Sequence, residues 1–477
     1  MDSYIVRAIG SNRGARRIYI DGAVLARSQF VPGTTFDIEA CPSKRTLILH
    51  RRENGSRVVS KKRKHGSQDV APVIDINSNG MLSTLGAVMV VRITISALQI
   101  TITPLASELS RLDRLERLSR SVDAGRLQVG SIAHGIGVLA HTAHQGLKRA
   151  ELDADLAVAV EINADWLNQA IEHNPAWSSK TVAVAAPMQE YAQDPQSRGF
   201  KVDVVELGIP CSGASVAGKA KRGLKRMESH PEVGHLVVPA LMLIAAWNPA
   251  AVVLENVKSY SNEASADLLR SMLADMGYHV QETCLTATYF GELERRERWF
   301  LVAVTRGIAF DINSVTSDIH ERYRQVRYVS EVLEDVADDS PEWSRFDYLQ
   351  IKAERDAQKG SCFALQTVDE SDIEVPTLRK GYQKAGSTDP LLAHPTKPGL
   401  KRRFSVVEHA RLKGQPDCLV KGMGIVDGHA AMGQSVCFEP VARLFEELGK
   451  ALRHWASTAH ADSSPKALRY SVATATG

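Results

Sequence analysis

The sequence has 477 residues, of which 44% are hydrophobic and 24% are charged, and its formal net charge is +3. These values are ordinary for a globular protein of one to three domains, and so small a net charge does not by itself indicate a polyanionic partner. The longest apolar runs, such as 236–247, are too short to span a membrane, and the N-terminal residues do not resemble a signal peptide. Six cysteines without a CxxC pair or zinc-finger spacing favour a reducing, cytoplasmic location and predict no metal site.

Residues 1–104 predict a small all-β domain, because short runs rich in Val, Ile and Thr alternate there with Gly, Pro and Asn. The apolar positions of the first half recur in the second half, which indicates an internal duplication. The matched positions are Ile18 and Ile20 with Ile74 and Ile76, Ile38 with Ile93, and Leu47 and Leu49 with Ile100 and Ile102.

The segment Phe30–Ile38 reads F-V-P-G-T-T-F-D-I and resembles the AbrB-like and SymE-like swapped-hairpin domains. That resemblance implies DNA binding, and a generic small barrel used for packing or dimer contacts is the alternative. Basic residues cluster between the two halves, from Arg51 to Lys64. The cluster either contacts DNA phosphates or is an ordinary solvated loop.

Residues 105–126 predict a helical connector, because Leu109, Leu112, Leu115 and Leu118 recur at three-residue spacing among charged residues. From 127 to 305 the pattern changes to apolar strands that alternate with helices. This alternation predicts an α/β fold with a doubly wound, mostly parallel sheet, whose ligands bind at the carboxyl ends of the strands. The predicted strands are 156–162, 181–186, 202–209, 250–257 and 299–305, and the predicted helices include 234–247 and 262–276.

Candidate chemical groups stand at these strand ends. Cys211 follows the third strand in a loop rich in Gly and Ser; free cysteines are most often small core residues, but this context favours an exposed nucleophile. Glu255 follows four apolar residues and is either a helix cap or a carboxyl group at the same edge. Arg296 and Arg298 open the last strand, where they either lie on the surface or enter this edge.

Taken together, these segments resemble the DNA cytosine-5 methyltransferases over residues 127–450, which implies a class I methyltransferase-like fold. Each motif alone is weak, but seven of them in the family's own order form a specific pattern. They are GIG at 135–137, VEIN at 160–163, PCSGAS at 210–215, ENV at 255–257, GELERRERWFLVAV at 291–304, RRFSVVEHARLKGQPD at 402–417 and MGQSVCFEPVARL at 432–444.

The resemblance implies how the base is modified. The thiolate of Cys211 would add to C6 of a cytosine flipped out of double-stranded DNA, which makes C5 nucleophilic enough to take a methyl group. Glu255 would hydrogen-bond N3 and the exocyclic amine as the adduct forms. Arg296 and Arg298 would hold the base O2 and a nearby phosphate.

The resemblance also implies S-adenosylmethionine as the donor. Gly135 and Gly137 would form the tight turn after the first strand, and Glu161 would accept both ribose hydroxyls. Residues 434–436 would close over the methionine end of the donor. In the sequence these closing residues are Gln434, Ser435 and Val436.

The departures from the family pattern are concentrated at this donor site. The first motif has Ser131 and Ala133 where the family has Asp and Phe, and 185–188 has no acid for the adenine amine. Gln434 replaces the usual Asn, and Glu294 replaces the Gln of the arginine strand. Three options follow: a rebuilt pocket for the ordinary donor, a modified donor of the S-adenosylmethionine type, or a non-catalytic DNA-binding protein. A transferase acting on RNA cytosine is a further alternative, and the Glu-Asn-Val motif favours DNA.

The remaining segments complete the predicted organisation. Residues 306–375 predict a short target-recognition region, so the N-terminal domain is expected to share in DNA contact. Residues 376–457 return to the catalytic domain and end in a helix from Glu439 to Arg453, and 458–477 predicts a disordered tail. An enzyme of this kind would serve DNA modification, for example in a restriction–modification system.

Overall fold

The computed structural model of the protein describes residues 3–63, 70–210, 226–323, 325–358, 360 and 365–462. It divides into two compact units, residues 1–113 and residues 114–477. The division falls within helix α3 (Ala106–Asp123), which occupies most of the predicted connector.

The first unit is built from antiparallel strands. They are β1 (Ser3–Ala8), β2 (Gly10–Asn12), β3 (Ala15–Asp21), β4 (Thr35–Cys41), β5 (Thr46–Arg51), β6 (Arg57–Val58), β7 (Ser60–Arg63), β8 (Val70–Asn77), β9 (Val90–Ile95) and β10 (Gln99–Pro104). Among its described residues, one sheet has the order β1-β9-β10-β5-β4-β6 and the other has the order β2-β3-β8-β7. Two short helices, α1 (Ala23–Ala26) and α2 (Asn79–Leu82), and the 3-10 turns Pro42–Lys44 and Ser83–Leu85 connect the strands.

The two halves that the sequence matches to one another interleave in this unit. Strand β3 pairs with its counterpart β8, and the hairpins β4–β5 and β9–β10 are joined by pairing of β5 with β10. The facing pairs are Ile18 with Ile76, Ile20 with Ile74, Leu47 with Ile102 and Leu49 with Ile100, all of them buried. Because equivalent strands pair antiparallel with each other, the two halves are related by an approximate two-fold axis. The likeness to swapped-hairpin families remains a prediction.

The second unit contains a sheet with the order β13-β12-β11-β14-β15-β18-β16 among its described residues. The first five strands are parallel, and β18 pairs antiparallel with both β15 and β16. The predicted α/β fold with a mostly parallel sheet is therefore confirmed. These strands are β11 (Arg126–Ile132), β12 (Asp153–Glu161), β13 (Val182–Ala185), β14 (Val204–Leu207), β15 (Ala251–Asn256), β16 (Tyr278–Thr286) and β18 (Glu297–Thr305).

Strand β16 lies at the edge of the sheet and was not predicted. Its sequence YHVQETCLT is mixed, because an edge strand with partly exposed faces does not need a continuous apolar run. By contrast, Val204 and Val253 face the hydrophobic core on one side of the sheet, and Val205 and Leu254 face the core on the other. Burial on both faces explains why the central strands are recognisable in the sequence.

Helices cover both faces of this sheet. The helices described in the second unit after α3 are α4 (Val138–Arg149), α5 (Ala164–His173), α6 (Met188–Tyr191), α7 (Val237–Trp247), α8 (Ala264–Asp275), α9 (Ile319–Arg322), α10 (Asp347–Gln358), α11 (Val406–Arg411), α12 (Ile425–Gln434) and α13 (Phe438–Asp462), and α10 packs in a separate small cluster with Ala385 and Leu391. Short strands accompany them: β17 (Glu294–Arg295), β19 (Gln366–Val368), β20 (Val375–Pro376), β21 (Pro390–Ala393) and β22 (Lys401–Arg402). The 3-10 turns are Pro195–Gly199, Met227–Ser229, Lys258–Asn262, Ala287–Phe290, Ile312–Thr316, Val329–Val332, Tyr382–Lys384 and Asp417–Val420.

The last helix is longer than predicted. It continues to Asp462, into the segment that we expected to be a disordered tail. Ala456, Ala459 and Ala461 favour this extension, because alanine has the highest intrinsic helix propensity. The rest of the predicted tail, 463–477, lies outside the described residues.

Candidate active site

Two of the base-side candidates, Glu255 and Arg298, meet near the ends of strands β14 and β15. The two strands are parallel neighbours, with Leu207 opposite Leu254, so the residues after Leu207 run beside Glu255. Glu255 is buried, and its Oε2 would lie 3.7 Å from a Cβ placed on Gly208. Cys211 itself lies outside the described residues, three positions beyond Gly208.

Asn256 ties these two strand ends together. Its Nδ2 donates a hydrogen bond of 3.0 Å to the carbonyl of Ile209, and its Oδ1 accepts one of 2.8 Å from the Val257 amide. Asn256 is buried and therefore fixes the backbone two residues before Cys211. Asn256 was not predicted as a site residue, although a second polar residue at the end of an apolar strand was the available signal.

Glu255 and Arg298 form an ion pair at this edge. Arg298 Nε lies 2.9 Å from Glu255 Oε1, and both side chains are largely removed from solvent. Burial raises the pKa of Glu255, although the positive charges of Arg298, Arg296 and Lys413 oppose the shift. A carboxyl group with a raised pKa can hold a proton closer to neutral pH than an exposed one can.

The two candidate arginines have different surroundings. Arg298 lies beside Glu255, whereas Arg296 is only 2% exposed. The Nη2 of Arg296 donates a hydrogen bond of 3.0 Å to the Gly433 carbonyl, and its Nη1 lies 3.5 Å from Glu294 Oε1. Arg298 thus lies with Glu255 at the strand end, whereas Arg296 connects this strand to the segment that precedes Gln434.

The predicted donor loop has the backbone that its glycines suggest. Gly135 and Gly137 have φ values of 61° and 77°, and Ala133 between the strand and the loop has a φ of 57°. A Cβ on Gly137 would lie 2.3 Å from Asn174 Nδ2 and 2.5 Å from His134 Nε2, so no larger residue fits there.

Glu161 ends strand β12 beside this loop. Its Oε2 accepts a hydrogen bond of 2.7 Å from the Gly135 amide, and its Oε1 accepts one of 2.9 Å from the Asn163 amide. A carboxylate has about four acceptor sites, so both oxygens can still accept hydroxyl groups of a ribose. Asn163 then caps helix α5, which carries Trp166 towards the loop.

A chain of hydrogen bonds lies beneath the loop. Trp177 Nε1 donates to His134 Nε2 at 3.0 Å, and His134 Nδ1 lies 2.7 Å from Ser131 Oγ. Burial lowers the pKa of His134 to about 3, so the ring is neutral and its Nδ1 carries the hydrogen that Ser131 accepts. Ser131 in turn hydrogen-bonds Glu206, its neighbour on β14, and burial raises the pKa of Glu206 to about 8.

Glu206 was missed by the sequence analysis. Position 131 lacks the family's acid, but the paired position on the next strand supplies a buried carboxyl group. A glutamate within the otherwise apolar run VDVVELGI was the signal that could have indicated it.

Donor-side residues that are distant in sequence also meet. A Cβ on Gly135 would lie 3.9 Å from the Trp166 ring, and Lys380 Nζ lies 6.0 Å from the centre of that ring. Lys380 Nζ also donates a hydrogen bond of 3.3 Å to Gln434 Oε1. Ser435 caps the end of α12, its Oγ donating to the Met432 carbonyl at 2.8 Å.

The third closing residue, Val436, is buried, and its carbonyl accepts a hydrogen bond of 3.3 Å from Gln415 Nε2. Lys380 was not predicted as a site residue.

Within the described residues, no group of three or more His, Cys, Asp or Glu side chains could hold a metal ion. No helix in the same part of the chain is long and apolar enough to cross a membrane.

The parallel sheet, with a carboxylate–arginine pair and a glycine loop at one edge, defines an α/β protein of the methyltransferase type. A sequence model described as C-5 cytosine-specific DNA methylase matches residues 140–450. Because this match covers more than half of the chain, the chain belongs to the C-5 cytosine-specific DNA methylase family. The match begins three residues after Gly137, so it does not include the first motif.

Individual relatives agree with this assignment. The type II methyltransferase M.NlaX of Neisseria lactamica is 29% identical over 262 residues, which cover 52% of this chain and 77% of the relative. M.MspI of a Moraxella species is 25% identical over 257 residues, or 53% of this chain and 57% of the relative. The crystal structure of S. pombe Dnmt2 methyltransferase shares the fold, with a TM-score of 0.53 and 18% identity over 67% of this chain and 97% of that one.

Proposed function

We propose that the chain transfers a methyl group from S-adenosylmethionine to C5 of cytosine in double-stranded DNA. Its family is that of the C-5 cytosine-specific DNA methylases, and type II methyltransferases are among its relatives. The observation that carries the proposal is the buried Glu255 beside Arg298, at the end of the strand next to the one that leads to Cys211. Modification of DNA within a restriction–modification system is the setting that these relatives suggest.

In the proposed reaction, the thiolate of Cys211 adds to C6 of the flipped cytosine, and Glu255 gives a proton to N3 so that no charge accumulates on the ring. The π electrons of the C5=C6 double bond then become available at C5, which takes the methyl group that the donor supplies. Loss of the C5 proton to a base then expels the thiolate, and N3 returns its proton to Glu255. Asn256 positions the backbone at Ile209 and is thereby a positioning residue for Cys211.

The donor-side residues fit an adenosyl donor. Glu161 has acceptor sites for ribose hydroxyls, and the Gly135 loop leaves backbone accessible beside it. Trp166 Nε1 is buried without a hydrogen-bond partner among the described residues, which suits a ligand acceptor at this place. Residues Gln434, Ser435 and Val436 would close over the methionine end.

A second candidate is the same transfer from a modified donor. Lys380 places a cation beside Gln434 and over Trp166, where the substituent on the sulfonium would lie under this proposal. A donor with an anionic substituent would gain an ion pair with Lys380. This candidate predicts a cytosine product heavier than 5-methylcytosine.

We also propose that the first unit contacts the DNA backbone. Residues 1–104 contain 15 Lys and Arg against seven Asp and Glu, whereas the whole chain has a net charge of only +3. All residues of strand β7, Ser60–Arg63, are exposed, so its three cations are accessible to phosphates. Lys64, the last residue of the predicted basic cluster, and residues 65–69 lie outside the described residues.

The decisive experiment is nucleoside mass spectrometry of DNA from cells that express the wild-type chain or Cys211→Ser. The expected result is 5-methylcytosine with the wild type and none with the variant. Unmodified cytosine in both would favour the non-catalytic DNA-binding alternative, and a heavier product would favour the modified donor. DNA that contains 5-fluorocytosine should trap the wild type covalently, because fluorine cannot leave as a proton does. Equal trapping by Cys211→Ser would refute the assignment of the nucleophile.

A further inference from the structure

Two departures from the family pattern meet in the interior. The arginine strand has Glu294 where the family has Gln. The segment RLKG at 411–414 resembles the family's Arg-Leu-Gln-Gly, so Lys413 also stands where the family has Gln. Their side chains form an ion pair, Lys413 Nζ with Glu294 Oε2, and both are fully buried. Two neutral amides on separate segments are therefore replaced by two buried charges of opposite sign. Because the two charges contact each other, the two replacements compensate one another.

The pair is held by hydrogen bonds from several segments. Glu294 Oε1 accepts a hydrogen bond of 3.1 Å from the Leu378 amide, and the Glu294 amide donates one of 3.1 Å to the Leu412 carbonyl. Burial lowers the pKa of Lys413 to about 8, which still leaves the amine mostly protonated at neutral pH. The carboxylate of Glu294 is thus paired with the ammonium form of Lys413 and not with its neutral amine.

The pair adjoins the arginine that links the two sides of the site. Arg296 Nη1 lies 3.5 Å from Glu294 Oε1, while its Nη2 donates to the Gly433 carbonyl, one residue before Gln434. Arg296 is buried, so its guanidinium needs hydrogen-bond acceptors nearby, and among the described residues Glu294 is the carboxylate in contact with it. Positive charge from Arg296 and from Lys413 also acts on Glu255.

We propose that Glu294 and Lys413 are positioning residues that hold Arg296 between the base-side strand and the donor-closing segment. The inference rests on the proposed methyl transfer. Glu294 shares its carboxylate between two cations. Loss of Glu294 alone leaves both cations without their counter-charge, and loss of Lys413 alone leaves the whole carboxylate to Arg296. Arg296 then shifts, and the Gly433 carbonyl loses its donor. Replacement of both charges by amides returns the net charge of the three side chains to its wild-type value and leaves an amide oxygen at position 294 that can accept from Arg296, which restores the geometry.

The test is a double-mutant cycle with Glu294→Gln, Lys413→Gln and the double variant, assayed for kcat, donor KM and DNA affinity. Each single variant should lose at least tenfold in kcat and raise the donor KM, with DNA affinity within threefold of the wild type. The double variant should return both kinetic constants to within about threefold. Asp417→Asn, which breaks the exposed pair with Arg411, serves as the control and should change neither constant.

Three results would overturn the inference: single variants within threefold of the wild type, a double variant as poor as the product of the singles, or an unfolded double variant. If one single variant does not fold, the double variant still decides, because wild-type kcat in it requires the pairing. If the wild type itself transfers no methyl group, the proposed function fails. The pairing would then still be measurable as non-additive shifts in the melting temperatures of the same four proteins.

Discussion

The exchange Glu255→Gln tests the proposed chemistry most directly. Glutamine has the shape of a protonated glutamate, so its amide can still donate to cytosine N3 and accept from the exocyclic amine. It cannot transfer a proton. The buried position of Glu255 and the rise that burial causes in its pKa are the features that suit a proton donor.

The magnitude follows from the role. A positioned general acid contributes about 10² to 10⁴-fold, which corresponds to roughly 2.7 to 5.4 kcal/mol at about 1.36 kcal/mol per factor of ten. Glu255→Gln should therefore lower kcat by about this factor. Affinity for DNA should stay within about threefold, because both ground-state hydrogen bonds are retained.

The assay is transfer of a labelled methyl group under saturating donor and DNA, with DNA affinity measured separately. Glu282→Gln is the matched control, since Glu282 also faces an arginine, Arg270 at 2.6 Å, on a strand of the same sheet. The control should keep wild-type kcat. A Glu255→Gln variant with kcat within threefold of the wild type would refute the proton-donor role. A variant that loses DNA affinity and melts early would show that Glu255 serves the fold instead.

Three further predictions concern stability and DNA contact. Arg402 and Glu408 form a buried pair with hydrogen bonds of 2.7 and 2.6 Å, so Arg402→Met should cost about 3 to 5 kcal/mol in urea unfolding; a loss below about 1 kcal/mol would contradict this. Lys61→Gln with Arg63→Gln should reduce the slope of log affinity against log salt by about 1.8, and an unchanged slope would remove the phosphate contacts. Burial lowers the pKa of His429 to about 4, below the unfolded value of about 6.5. Between these values the unfolded chain binds more protons than the folded chain, so the free energy of unfolding falls as the pH is lowered. Wild type should therefore lose about 2 kcal/mol more than His429→Gln between pH 7 and pH 5, and equal losses would refute the assignment.

The sequence by itself determined the fold class and predicted that Glu255 and Arg298 lie at one edge of the sheet. Strands β14 and β15 are buried on both faces and largely apolar, so their positions and the polar residues at their ends can be identified without any tertiary information. Glu255 and Arg298 were predicted in this way. The duplication in the first unit was also visible, because equivalent apolar positions recur wherever the same core is built twice.

Tertiary structure decided what depends on neighbours that are distant in sequence. Glu206 supplies a carboxyl group beside Ser131 only because β14 is paired with β11. Lys380 reaches Gln434, and Lys413 reaches Glu294, across separations of 54 and 119 residues. Periodicity and propensity describe a residue's own segment, whereas the balance of a buried charge depends on which segments the fold brings into contact with it.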